Sequence, residues 1–68
     1  MDRMKSLTKT LKNSLGLAYL DVFSTGEELG FQVRPNEAHK LIEHFSSTNK
    51  DFEMDHEDGY SFFFIPLS

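Results

Sequence analysis

A row of carboxylates near the C-terminal end is the clearest candidate for chemistry in this 68-residue chain. Its members stand at every second position and are Asp51, Glu53, Asp55 and Glu57. An EF-hand calcium loop beginning at Asp51 would need glycine at its sixth position and a bidentate glutamate at its twelfth. Those positions hold His56 and Phe62. Because alternate residues of a β-strand share one face, the spacing predicts a charged strand face instead of a calcium site.

The histidines are the next candidates, as metal ligands or as acid–base groups. His39 and His44 are five residues apart, whereas side chains on one helix face are three or four apart. His39 and Glu43 do share a helix face, but their spacing is equally typical of a solvated surface. His56 follows a strand pattern beside a turn and is interpreted as structural or exposed. We therefore predict no metal site and no cofactor.

The residue types that build catalytic sites are missing or scattered. The chain has no cysteine, which excludes thiolate metal sites, disulfides and a cysteine nucleophile. Its glycines form no phosphate-binding loop, and no serine lies in a Gly-x-Ser-x-Gly motif. A chain this short buries only about 60% of the surface that its unfolded form exposes, which makes a water-excluding active site hard to build. We predict a protein that is not an enzyme and has no catalytic residue.

Charge divides the chain into a basic beginning and an acidic remainder. The net charge is -4 and the isoelectric point is about 5.1. Residues 1–14 hold four bases and one acid, a local charge of +3, whereas residues 15–68 hold three bases and ten acids, a local charge of -7. Lys5, Lys9 and Lys12 form a cationic helix face that could attract nucleic acid weakly and in a salt-sensitive way. Since the rest of the chain repels phosphate, nucleic-acid binding is the alternative and not the leading hypothesis.

The elements that position these groups follow from hydrophobic spacing. A helical stripe predicts a first helix over residues 3–14, and Gly16 is a natural stop beyond it. Its apolar residues are Met4, Leu7, Leu11 and Leu15. Alternation predicts strands over 17–24 and 29–34, joined in a hairpin by the turn-forming residues between them. Pro35 suits the start of a second helix, which has an apolar stripe at helical spacing. This stripe consists of Ala38, Leu41, Ile42 and Phe45.

The last twenty residues predict a second hairpin around Asp58-Gly59, a strong turn signal. A two-residue turn opposes Met54 with Phe63, whereas a three-residue turn opposes Met54 with Phe62. The register stays open at this point, and a one-residue slip would move every side chain to the other face. Residues 60–67 are apolar on both faces, so the strand is either covered twice or faces a partner.

Together the patterns predict an α+β fold of order αββαββ with a four-stranded, mainly antiparallel sheet. We expect one small domain over residues 1–68, with a basic helix at 1–14 and an acidic ββαββ core at 15–68. The second helix should cover one face of the sheet. For the other face, coverage by the N-terminal helix is favoured over a second copy or a target, with its lysines lying above the acidic row.

These features favour a small protein-interaction module, an inhibitor or adaptor that binds a larger protein with a basic surface, such as a nucleic-acid-handling complex. Aromatic side chains supply contact energy in such surfaces, while charge steers the partner. The predicted contact residues are Asp51, Glu53, Asp55, Glu57, Tyr60 and Phe62. A homodimer is also expected, since domains below ~70–80 residues usually need support beyond one core. An oligomeric sponge for a small ligand is a further alternative.

In size and composition the chain is similar to many small inhibitors encoded by phages or mobile elements, and to many small bacterial accessory proteins. This likeness is an analogy without a shared motif. No apolar run approaches the ~20 residues of a transmembrane helix. The N-terminus lacks the apolar stretch of a signal peptide. We therefore expect a cytoplasmic protein without a membrane partner, in the host cytoplasm if a phage encodes it.

Overall fold

The computed structural model describes residues 3–67 and has the predicted αββαββ order. The elements are α1 (Arg3–Leu15), β1 (Leu20–Ser24), β2 (Glu28–Val33), a 3₁₀ helix (Pro35–Glu37), α2 (Ala38–Ser47), β3 (Glu53–Glu57) and β4 (Tyr60–Pro66). The strands form one open antiparallel sheet in the order β1-β2-β4-β3. The predicted fold class is confirmed.

Helix α1 ends where the sequence predicts, because Gly16 adopts a left-handed conformation with φ of 66°. The Leu17 N–H then donates to the Lys12 carbonyl at 3.0 Å, which closes a Schellman-type C-cap. This turn directs Leu17 into the core, where it is buried.

Strand β1 begins at Leu20, three residues later than predicted, because the preceding connection is bonded to another element. The Ala18 N–H donates to both carboxylate oxygens of Glu37, at 2.9 and 3.0 Å, and is therefore not free to pair within the sheet. Lys40 forms an ion pair with Glu37 at 3.6 Å and donates to the Gly16 carbonyl at 2.9 Å. These bonds fix the α1–β1 connection to the start of α2.

Both helices pack on the same face of the sheet, which we call the covered face. Leu11 of α1 joins Leu41 and Phe45 of α2 in one buried cluster above Phe31 and Phe63. The expectation that α1 closes the second face is therefore wrong. The physical reason is the anchored connection, which holds the C-terminal end of α1 beside α2.

The β3–β4 hairpin has the two-residue turn. Met54 pairs with Phe63 and Glu53 with Phe64. Asp58 and Gly59 have φ values of 52° and 79°, both left-handed, as a type I′ turn requires. Strand β3 starts at Glu53 and not at residue 51.

Candidate protein-interaction face

The second face of the sheet, which we call the open face, carries a cluster of half-buried aromatic rings. This aromatic patch consists of Tyr19, Phe23, Tyr60, Phe62 and Phe64. Phe62 and Phe64 lie nearly parallel, with ring centroids 6.5 Å apart and planes 11° apart. Phe23 meets them edge-on at 6.4 and 6.1 Å, and Tyr19 lies 5.5 Å from Tyr60. The rings shield one another, while both helices lie on the covered face.

A glycine in β2 makes the patch continuous across three strands. The Phe23 ring of β1 lies over Gly30, so that a Cβ at residue 30 would overlap the Cε2 and Cζ atoms of that ring. Gly30 is itself paired with Phe64 of β4. The missing side chain thus lets a ring from β1 reach the rings of β4.

At one end of the patch, Arg34 adds a positive charge. Its guanidinium carbon lies 6.0 Å from the Tyr19 ring centroid and 5.9 Å from that of Tyr60. Arg34 is exposed. This arrangement leaves guanidinium donors available to an approaching carbonyl or carboxylate group.

Three exposed carboxylates of β3 border the patch and form what we call the acidic row. In the hairpin register, Glu53 lies opposite Phe64, Asp55 opposite Phe62 and Glu57 opposite Tyr60. Cross-strand partners share a face of the sheet, so the acidic row lies on the open face. The Asp55 Oδ1 atom also accepts a hydrogen bond from the His56 N–H at 2.8 Å, on the outer edge of the strand.

The structure brings together five of the six residues predicted to bind a protein. Glu53, Asp55, Glu57, Tyr60 and Phe62 share the open face. Asp51 does not belong to this set, because the strand begins only at Glu53. The preceding Phe52 turns onto the covered face, 5.5 Å from the Phe45 ring and 5.6 Å from the Phe63 ring. Sequence reasoning missed Tyr19, Phe23 and Arg34, since alternation within single strands does not show which strands are neighbours.

The lysines proposed for nucleic-acid binding lie at the other edge of the sheet. Lys5, Lys9 and Lys12 line a shallow groove between α1 and β1 with a volume of about 510 Å³, which we call the basic groove. Strands β1 and β3 are separated by three interstrand spacings, roughly 14 Å in all. The expected placement of these lysines over the acidic row is therefore wrong.

The hairpin register creates a serine–histidine pair that the sequence did not single out. Ser61 Oγ lies 3.0 Å from His56 Nδ1, because a two-residue turn places these residues opposite each other. Ser61 has no exposed surface, so a substrate cannot reach its hydroxyl group. The pair therefore satisfies a buried hydroxyl group and is not a nucleophile with its base.

Other sites for a metal or small ligand are limited. Within residues 3–67, no group of three or more His, Asp or Glu side chains could hold a metal ion. An apolar cleft of about 300 Å³ opens between the helices and the end of the sheet. Its lining includes Leu7, Leu29 and Ile65, with Lys50 and His44 as the polar members.

None of the helices described in residues 3–67 is long and apolar enough to cross a membrane. No family model matches the chain, and neither a curated protein nor a solved structure matches it.

Proposed function

We propose that the chain is a non-enzymatic protein-interaction module, an inhibitor or adaptor that binds a larger protein with a basic surface. The open face is the binding surface. One observation carries the proposal: the β3–β4 register sets the acidic row directly beside Tyr60, Phe62 and Phe64 on the face that the helices leave uncovered.

The aromatic patch supplies the contact energy in this proposal. Its rings are half-buried in the free protein, and their remaining apolar surface is worth ~25 cal/mol for each Å² that a partner removes from water. Aromatic residues are enriched among the few interface residues that dominate affinity. An uncovered antiparallel sheet face is ordinarily polar, so an aromatic one favours a binding role.

The acidic row sets the chemistry of the partner. Carboxylates at the rim of an apolar surface attract lysine and arginine and accelerate encounter more than they strengthen the final complex. The partner surface is thus an apolar or aromatic centre flanked by basic groups, as on proteins that handle nucleic acids. An acidic group on the partner would be matched to Arg34 at the tyrosine end of the patch.

The charge arrangement disfavours a direct nucleic-acid platform on the same face. Proteins that bind single strands combine aromatic stacking with a positively charged groove along the backbone. Here the rings border carboxylates, whereas the basic groove lies at the opposite edge. A single-stranded nucleic acid stacked on Phe62 would bring its phosphate groups toward the Asp55 carboxylate.

The test compares proteins captured from an extract of the source cells by immobilised wild type and by matched variants. We expect Phe62→Ala to weaken binding of the captured partner about 10- to 100-fold, the range of an interface hot spot. Leu67→Ala removes an apolar side chain that is 54% exposed and lies outside the patch, and it should bind like wild type.

The charge contribution is tested with a second pair of variants on the isolated partner. Glu53→Gln/Asp55→Asn should slow association about tenfold with little change in the dissociation rate. Glu27→Gln/Glu43→Gln removes the same charge from exposed positions outside the row and should leave both rates unchanged. The proposal would be disproved if wild type, Phe62→Ala and Glu53→Gln/Asp55→Asn captured the partner equally.

A further inference from the structure

We infer that the basic groove binds the acidic strand β3 of a second copy of this chain, so that copies associate head to tail. This inference goes beyond the proposed function, because it assigns a role to the basic groove at the opposite edge of the sheet, and it shares the acidic row with the proposed partner-binding face. The groove is formed by the outer side of α1 and the edge strand β1.

The groove contains a strand edge that has not been paired. Strand β1 pairs with β2 alone within the described residues 3–67. The Thr25 N–H donates to the Glu28 carbonyl at 2.9 Å, which makes these two residues a hydrogen-bonded pair at the turn. Because bonded and non-bonded pairs alternate in antiparallel strands, the backbone N–H and C=O of Val22 point away from β2. Val22 also lines the groove, so an extended segment lying there would meet free backbone groups.

The charge of the lining selects an acidic segment. Lys5, Lys9 and Lys12 are exposed and line the groove together with one acid, Asp21, which gives the lining a net charge of +2. Met4 and Val22 contribute apolar surface to the same groove. An acidic β-strand complements the positive charge of this lining.

Strand β3 has this composition and is accessible. All five of its residues, Glu53–Glu57, are exposed. Met54 pairs with Phe63, so its side chain, 39% of whose surface is accessible, lies on the opposite side of the strand from the acidic row. Strand β3 pairs only with β4 within the described part of the chain, and on its outer edge the His56 N–H donates to Asp55 Oδ1 at 2.8 Å.

The three lysines of the basic groove and the three carboxylates of the acidic row extend over similar lengths. Lys5 to Lys12 span about 10.5 Å along the helix axis at 1.5 Å per residue. Glu53 to Glu57 span about 13 Å along an extended strand. The flexible four-carbon stem of lysine covers this difference. The two sets of charges therefore match in length to within the reach of a lysine side chain.

The partner must be another molecule, because the two surfaces lie at opposite edges of one sheet, roughly 14 Å apart. The contact joins two different surfaces and is therefore heterologous. Repetition of such a contact gives open chains, or a ring if the rotation between copies closes. Ion pairs at exposed positions are individually weak, so the assembly should be salt-sensitive and dependent on concentration.

The test measures solution mass by light scattering or sedimentation over a concentration series, on purified protein without any partner. We expect the mass of wild type to rise with concentration in 20 mM NaCl and to fall to that of a monomer in 500 mM NaCl. Phe62→Ala alters the aromatic patch and leaves both edges intact, so it should associate like wild type.

Two charge-reversal variants then identify the contact. The groove variant is Lys5→Glu/Lys9→Glu/Lys12→Glu, and the row variant is Glu53→Lys/Asp55→Lys/Glu57→Lys. Each should raise the dissociation constant of self-association by about 3- to 100-fold, as expected from three exposed ion pairs. In an equimolar mixture, the acidic groove of one variant meets the basic row of the other, and association should return. The mixture also answers the objection that a variant fails to fold, since an unfolded variant cannot restore assembly.

Two results would overturn the inference. The first is a monomer at every concentration in low salt. The second is association that Phe62→Ala abolishes and the groove variant retains, which would indicate a dimer through the aromatic patch instead. A monomer in low salt leaves partner capture by the open face intact, and loss of capture in Phe62→Ala leaves salt-sensitive self-association intact, so the proposed function and this inference can fail separately.

Discussion

Both faces of the sheet carry aromatic rings, but the rings of the two faces differ in burial. Strand β4 contributes to both: Phe63 is fully buried under Phe45 of α2, whereas its neighbours Phe62 and Phe64 lie half-buried on the open face. Apolar character alone therefore does not identify the core of a small domain. The two sets of rings differ in their surroundings, since carboxylates border the rings of the open face and helices cover the rings of the covered face.

This difference separates a contribution to stability from the proposed binding role. Rings of the covered face gain their burial when the chain folds, so their contribution belongs to the free energy of unfolding. Rings of the open face keep accessible surface that only a further molecule can remove from water. Substitutions on the two faces of β4 should accordingly affect different measurements.

The largest expected effect comes from truncating the two faces of β4 at adjacent positions. Phe63→Ala should lower the free energy of unfolding by about 3–5 kcal/mol, because it leaves a cavity in the core. Small domains rarely have more than about 3–5 kcal/mol from one core, so this variant should be largely unfolded at 25 °C. Phe62→Ala should cost about 1 kcal/mol, since its ring is only half-buried and its contacts are chiefly with neighbouring rings. Urea denaturation followed by circular dichroism measures both, and equal losses would contradict the distinction between the faces.

A smaller effect is expected from the bonds that hold α1 on the covered face. Glu37 is 9% exposed, and its carboxylate is the acceptor for the Ala18 N–H. Glu37→Ala removes this charge-assisted hydrogen bond and the ion pair with Lys40, and it should lower the free energy of unfolding by about 1–3 kcal/mol. Glu43→Ala, at an exposed position of α2, should change it by less than about 0.5 kcal/mol. Similar values for both variants would mean that the Glu37 carboxylate does not anchor the connection.

Much of the fold follows from local sequence. The stripe from Ala38 to Phe45 predicts α2, Gly16 predicts the end of α1, and Asp58-Gly59 predicts the last turn. These features depend on residues within one or two turns of each other, where spacing and conformational preference act directly.

What the sequence could not show depends on pairs that are distant along the chain. The side of the sheet on which α1 lies is tied to a bond from Ala18 to Glu37, 19 residues away. The Ser61–His56 pair required the hairpin register, which two turn lengths left open. The acidic row was predictable from alternation. Tyr19 and Phe23 lie at the first hairpin, and only the sheet order brings them to the rings of β4 beside that row.

The smallest expected effect, and the sharpest test of how the open face is built, is at Gly30. A methyl group there forces the Phe23 ring off β2, which should cost about 0.5–1.5 kcal/mol of aromatic contact. A strand alanine is itself favoured over glycine by roughly 0.5–1 kcal/mol, so the net loss in Gly30→Ala should stay below about 1 kcal/mol. In a Phe23→Ala background no ring opposes the methyl group, and the same change should stabilise the protein. Urea denaturation of the four proteins in this cycle gives the coupling energy, and a value of zero would mean that Gly30 does not hold the ring in the patch.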